Sequence, residues 1–312
     1  MYTTLHTDLT DNILTVTINR PDKLNALNKK VIAELDEVVT EIYVNKEIRS
    51  AILTGAGPKA FVAGADISEF QGLTKEQGIA LAKKGQDIFF RIAASPKPIA
   101  AAVNGFALGG GCELAMACHF RLCTPTARFG QPEVNLGLIP GYGGTQRLTQ
   151  LVGRGRALEI ILSARMVGAT EAHVMGLVNY IVEEPDELLT KTRELLGIIN
   201  EKAPIAIARI IECVNIAAGD GAAASREAAA YVAAIPGDSV NSGDGNHTPT
   251  SNDGIDPFGA GPIDETYAGT SSDTRYGFQR EQTAFGECFG TEDMKEGAAA
   301  FLAKRKPVFT GK

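Results

Sequence analysis

Short, mostly apolar runs alternate with amphipathic stretches along the first two hundred residues, and this alternation limits the possible folds more than any other feature. Polar and apolar residues alternate from Asn12 to Asn19, and apolar runs follow at Ser50 to Leu53, Pro98 to Val103, Phe120 to Cys123 and Leu177 to Val182. Runs of this length, bounded by turn residues, predict strands. Between them the helical period appears at Leu27 to Val44, Lys75 to Ala94, Cys112 to Cys118, Thr145 to Val152, Arg156 to Ser163 and Glu187 to Asn200. Strand and helix in turn predict an α/β core. From Pro204 onward the pattern is almost wholly helical, so the expected division is a core at 1–200 and a helical C-terminal region at 201–312.

The stretch 219–275 interrupts this plan. A short helical pattern from Ser225 to Ile235 gives way to about forty residues rich in Gly, Asp, Ser, Thr, Asn and Pro with few apolar anchors. Such a composition does not bury enough surface to offset its ordering entropy, so an acidic, largely disordered insertion is expected. It holds nine of the 37 acidic residues and two of the 30 basic ones, and so accounts for the whole net charge of −7. The remainder is formally neutral, and the acidic balance says nothing about what the core binds. No Asp-x-Asp-x-Asp-Gly loop ending in glutamate occurs there, which argues against a calcium site.

With 312 residues and 44% apolar composition the chain is long enough to bury a full core. No run of about 18 apolar residues occurs and the first residues are polar, so neither a membrane span nor a leader is expected, and a soluble cytoplasmic protein is the default. Five cysteines (Cys112, Cys118, Cys123, Cys213 and Cys288) without a Cys-x-x-Cys pair predict free thiols in a reducing compartment. Four scattered histidines lack ligand spacing, so no metal is expected.

Two glutamates stand in glycine-rich apolar frames twenty positions apart: Glu113, ending Asn104-Gly-Phe-Ala-Leu-Gly-Gly-Gly-Cys-Glu, and Glu133, within Phe129-Gly-Gln-Pro-Glu-Val-Asn-Leu-Gly-Leu-Ile-Pro. A glutamate among apolar residues is desolvated, its pKa rises, and it becomes suited to proton transfer near neutrality. Each has a plainer reading, Glu113 as a carboxylate favoured by a helix N-terminus and Glu133 as a turn cap. Both together suggest an acid/base pair. The glycine turn before Glu113 opens a helix, whose first N–H groups face an incoming anion or oxyanion. Neither a dinucleotide fingerprint nor a phosphate loop is present.

Asn25-Ala-Leu-Asn28, Ala60-Phe-Val-Ala-Gly-Ala-Asp-Ile67, the two glutamate segments with the continuation Gly-Tyr-Gly-Gly-Thr-Gln-Arg-Leu148, and Phe285-Gly-Glu-Cys-Phe-Gly-Thr-Glu-Asp-Met-Lys-Glu-Gly297 occur in one order. Taken together they resemble the crotonase superfamily, and within it the enoyl-CoA hydratases, over 1–218 and 276–312. The resemblance implies a crotonase-like spiral of ββα units with a helical C-terminal trimerisation region, assembled as a homotrimer or a hexamer of two trimers. It implies Glu113 and Glu133 as the catalytic carboxylates and the backbone N–H groups of Ala65 and Gly110 as an oxyanion hole. Ala63, Asp66, Ile67, Ser68 and Lys304 would contact the coenzyme A part of an acyl-CoA substrate. Asp66 read alone is a turn or cap residue, and Lys304 a solvated charge in Lys304-Arg-Lys306.

The implied reaction is reversible addition of water to a trans-2-enoyl-CoA, short-chain by family default, with no cofactor beyond the substrate's own coenzyme A. A double-bond isomerase and a non-catalytic binding or scaffold protein remain open at this point. Nucleic acid is not an expected partner, because the chain has no tryptophan, 6% aromatics and no long basic run.

Overall fold

The computed structural model describes residues 2–218 and 271–311, with 271–275 as backbone only. The predicted acidic insertion, at 219–275, lies outside the described residues but for that short backbone segment. Strands β1 (Leu5–Thr10) and β2 (Ile13–Ile18) form an antiparallel hairpin, and α1 (Lys29–Val44) follows. Asn28 caps α1 by accepting the Val31 N–H at 2.9 Å. Its buried face, Val31, Leu35, Val38, Val39 and Ile42, repeats at the helical period and enters the core.

Three units of like construction come next. Strands β3 (Ser50–Gly55) and β4 (Ala60–Ala63) lead to α2 (Lys75–Ala93). Strands β5 (Ile99–Val103) and β6 (Phe106–Leu108) lead to α3 (Gly110–Ala117), and β7 (Phe120–Cys123) and β8 (Arg128–Gly130) to α4 (Gly144–Val152). In each unit the first strand joins a six-stranded sheet and the second a four-stranded one. The sheet orders, β1-β2-β3-β5-β7-β10 and β4-β6-β8-β9, therefore advance together by one parallel strand per unit. That progression is the ββα spiral.

After α5 (Arg154–Ser163), the chain adds β9 (Val167–Gly168) antiparallel to β8, then α6 (Ala169–Val174) and β10 (Tyr180–Ile181) beside β7. Helices α7 (Leu188–Asn200), α8 (Pro204–Ala217), α9 (Ser271–Cys288) and α10 (Glu292–Leu302) complete it. The strand expected over Leu177 to Val182 is only two residues long, and β4, β6, β8 and β9, the entire smaller sheet, fall in stretches where the sequence pattern predicts no strand. Glycine, alanine and the shortness of these strands hide the period-2 signal.

Side-chain amides hold the strand connections. Asn25, fully buried, accepts the Arg20 N–H at 3.0 Å and donates to Ala60 O at 2.8 Å. Asn104 closes the β3–β4 turn through Gly55 O at 2.9 Å and Gly55 N at 3.2 Å. Both satisfy backbone groups that a loop so close to the core would leave unpaired. Helix α9 packs along α2, and Phe285 and Phe289 meet Phe70 edge-on at 6.2 and 5.7 Å, so the C-terminal helices share a small apolar cluster with the core. No helix among the described residues is long and apolar enough to cross a membrane.

The N-terminal hairpin is tied to α1 by Glu34. Burial alone would raise its carboxyl, yet N–H and hydroxyl donors from Thr3 and Thr4 at 2.5 to 2.8 Å hold it at about 2. Glu34→Gln turns one acceptor into a donor facing donors, and is expected to cost about 2 kcal/mol in denaturant unfolding. Because the folded-state pKa is depressed, this contribution is present above the unfolded value near pH 4.3 and fades as pH falls toward 2. A difference between wild type and variant that stays constant across that window would contradict the assignment.

Candidate active site

The smaller sheet delivers its strand ends to one place. Beyond β4 the chain bridges Leu27, which donates to Gly64 O at 2.9 Å and accepts from Asp66 N at 2.7 Å. Ala65 lies between these two bonds, so its own N–H faces away from Leu27. Beyond β6, Gly109 turns at φ +51° and α3 starts at Gly110, whose N–H belongs to the first helical turn and has no intrahelical acceptor. Beyond β8, Gln131 and Pro132 lead into a one-turn 3-10 helix that begins with Glu133. A cavity of about 110 Å³ opens among these ends, and Ala65, Gly110, Glu113 and Glu133 all line it.

Glu113 lies one turn into α3 and is 2% exposed. Its Oε1 accepts the Tyr142 and Gly144 N–H groups at 2.8 and 2.7 Å, and no other donor reaches it from the described residues, which leaves Oε2 for the cavity. Glu133 is partly open to the cavity although surrounded by protein. The amide of Gln131, set in the orientation that satisfies both groups, donates to its two oxygens at 3.1 and 3.2 Å. Burial raises the Glu113 carboxyl well above the ordinary range, and the nearby Glu133 and Glu281 raise it further against the two backbone donors. Burial likewise pushes Glu133 up to about 8, with Glu281 adding to it. Carboxyls this close titrate together, and near neutrality they share protons instead of both being ionised.

Glu281, buried near these two carboxyls, carries no comparable signal in the sequence. It sits on α9 in a segment whose pattern shows only an amphipathic helix, 3% exposed, and the sole sequence cue is a charged residue on the buried side of that helix.

Of the other expected site residues, Ala63 and Ile67 line the cavity. Asp66, Ser68 and Lys304 do not. Asp66 accepts from Ser68 Oγ at 2.7 Å and pairs with Arg20 at 3.0 Å, so its carboxyl is lowered, first by the Ser68 bond. Lys304 is exposed in a left-handed turn just past α10, three residues beyond Phe301, which does line the cavity. Among the described residues no group of three or more His, Cys, Asp or Glu is arranged to hold a metal ion.

Residues 8–243 match the family described as Enoyl-CoA hydratase/isomerase. The chain is 40% identical over 294 residues to the short-chain-enoyl-CoA hydratase of Clostridium acetobutylicum, covering 94% of this chain and 92% of that one. It is 39% identical to the crotonyl-CoA hydratase of Syntrophomonas wolfei, covering 95% and 93%. Among solved structures, an enoyl-CoA hydratase from Mycobacterium avium subsp. paratuberculosis superposes with a TM-score of 0.73 at 25% identity, over 99% of this chain and all of that one.

The turn at Gly109 has no room for a side chain: a Cβ there would stand 2.5 Å from Glu133 Oε1, in a backbone conformation that costs an L-residue strain. Gly109→Ala is expected to lose on the order of 1–3 kcal/mol of stability and to displace the Glu133 carboxyl. Denaturant unfolding measures it, and a midpoint equal to that of wild type would refute the close approach.

Proposed function

The chain belongs to the enoyl-CoA hydratase/isomerase family, and we propose that it hydrates short trans-2-enoyl-CoA thioesters to 3-hydroxyacyl-CoA, reversibly and without a cofactor. The observation that carries this reading is the pair Glu113 and Glu133, both of raised pKa, lining one cavity with two backbone N–H groups that have no acceptor among the described residues. In the proposed reaction the thioester carbonyl accepts the Ala65 and Gly110 N–H groups, which draws electron density from C3 and stabilises enolate character at C2. A donor of this kind is worth roughly 3 kcal/mol in comparable enzymes.

Water bound between the carboxylates adds through its oxygen to C3. Glu113 takes the water proton on Oε2, the oxygen its backbone donors leave unoccupied. Glu133 gives its proton to C2. One proton is taken and one given, so the site ends with its charge unchanged and the proton on the other carboxylate. Dehydration runs the same steps backwards. The two backbone bonds to Glu113 favour its ionised form, the form that a base requires. An isomerase moves one proton between two carbons and needs one carboxyl, so two carboxyls on one cavity favour hydration.

Apolar walls from Phe70, Leu136, Leu138 and Phe285 suit an acyl chain, and the small volume suits a short one. The backbone at Ala63, Asp66, Ile67 and Ser68 is proposed to hold the adenine end of coenzyme A, with Lys304 reaching its phosphates. A homotrimer or hexamer is proposed from the apolar surfaces that α5 and α8 leave open, with Leu158, Leu162, Ile205, Ile210 and Val214 exposed. Free cysteines fit a reducing, cytoplasmic setting.

Glu113→Gln and Glu133→Gln are each expected to lower kcat for crotonyl-CoA by about a hundredfold or more with little change in KM. Loss of the enoyl thioester absorbance measures it, and variants as fast as wild type would overturn the acid/base assignment. Since Glu133 works in its protonated form, kcat should fall as pH rises through about 8. A rate that keeps climbing above pH 9 would contradict that assignment.

A further inference from the structure

We propose that Glu281 is a positioning residue for the hydration reaction, clamping from α9 the same turn that holds Glu113 from α3. This rests on the functional reading above. The turn Tyr142 to Thr145 enters α4, and its four successive N–H groups would have no acceptor within that helix. Glu113 takes the first and third, and Glu281 takes the second and fourth: Gly143 N donates to Glu281 Oε1 at 2.6 Å and Thr145 N to Oε2 at 2.8 Å. The Thr145 hydroxyl also donates to Oε2, and Gln86 of α2 donates to Oε1 at 2.9 Å. Gln282 donates to Gln86 Oε1 at 2.6 Å and Arg147 to Tyr142 O at 3.0 Å, so the turn is held from three helices.

The geometry transmits to the site in one step. The N–H groups that orient Glu113 Oε1 alternate along the backbone with those bound to Glu281, so a turn released from Glu281 re-aims both bonds to Glu113. A Cβ at Gly144 would stand 2.8 Å from Glu113 Oε1, which leaves the turn little room to shift without moving that carboxylate. Glu281 has no part in the cavity lining and touches no reacting atom. Its position also links the site to the C-terminal helices: α9 docks fully only when its carboxylate meets the α4 N-terminus.

A merely structural anchor would not also set the charge balance of the site. Glu113 faces the turn from α3, Tyr142 belongs to the turn itself, Glu133 approaches from the 3-10 helix, Arg147 from α4, and the neutral Gln86 from α2. Burial raises the Glu281 carboxyl itself while its Thr145, Gly143 and Gln86 donors lower it, and in its ionised form it raises both Glu113 and Glu133. Removing that charge lowers both, so the pH limb of the rate moves toward acid.

The test compares wild type, Glu281→Gln, Glu281→Asp and Thr145→Val in crotonyl-CoA hydration across pH. Glu281→Gln is expected to keep KM within about twofold, to lose about tenfold or more in kcat, and to move the alkaline limb to lower pH by about half a unit. Glu281→Asp retains the charge, so its limb stays in place while kcat recovers in part. Thr145→Val removes one donor and keeps the charge; it is expected to lower kcat severalfold with the limb unmoved, and it decides the matter if Glu281→Gln does not fold. An active wild type matched by Glu281→Gln in both kcat and limb, or by Thr145→Val in kcat where Glu281→Gln does not fold, overturns the positioning role alone. A folded wild type without hydratase activity overturns the functional reading and this role with it.

Discussion

A buried carboxylate must be met by hydrogen-bond donors, and the donors available in this fold are the unpaired N–H groups at the start of α4. That constraint organises the site. The helix entry has four N–H groups without intrahelical acceptors, and two carboxylates from different parts of the chain divide them in alternation. Neither requirement is met alone: the helix start would be a buried unsatisfied terminus, and Glu113 and Glu281 would be unpartnered charges. Their mutual satisfaction holds three helices at one point while leaving one oxygen of Glu113 toward the cavity. The helix dipole adds to this, since a helix N-terminus favours negative charge beside it.

The same arrangement keeps the carboxyls reactive. Hydrogen bonds to backbone N–H groups favour ionisation, whereas burial and mutual repulsion oppose it, and in Glu113 and Glu133 the second pair of effects prevails. Glu34 is the counterexample within the same molecule. It too is buried, but it is met by four donors and a lysine, and its carboxyl falls to about 2. One residue type therefore serves as a structural tie at the N-terminal hairpin and as a proton-holding group at the cavity, and the difference lies first in how strongly burial opposes the charge at the cavity and then in the nearness of like charge there.

The long helices were legible in the sequence because their burial is periodic, as in Val31 to Ile42, and the larger sheet because its strands, buried at nearly every position, stand out as short apolar runs between turn residues. The smaller sheet was not legible. Its strands are two to four residues long, and Ala60–Ala63, Phe106–Leu108 and Arg128–Gly130 carry no alternation that would set them apart from turns. Glu113 and Glu133 were legible because glycine and apolar neighbours surround them in the chain. Glu281 was not, because its neighbours in sequence, Arg280 and Gln282, are polar, and its burial arises only from elements nearly two hundred residues away in α2 and over a hundred away in α4. Sequence context reports burial when the burial is local, and is silent when a tertiary contact creates it.

The position of Glu281 has a further consequence for the C-terminal region. The helix α9 follows the acidic stretch, so whatever path that stretch takes, α9 must return to α2 and the α4 entry to bury its apolar face. Apolar packing of Phe285 and Phe289 against Phe70 supplies attraction but tolerates sliding, because ring contacts have broad minima. A carboxylate with four donors does not tolerate sliding: a displacement of one helical residue would leave Glu281 and the N–H groups of Gly143 and Thr145 buried and unpaired, at a cost of roughly 1–3 kcal/mol for each group. The polar contact therefore fixes the register that the apolar cluster only encourages. An insertion ahead of α9 is then compatible with the cavity so long as its two ends allow α9 to reach this one register, and the length between them matters little.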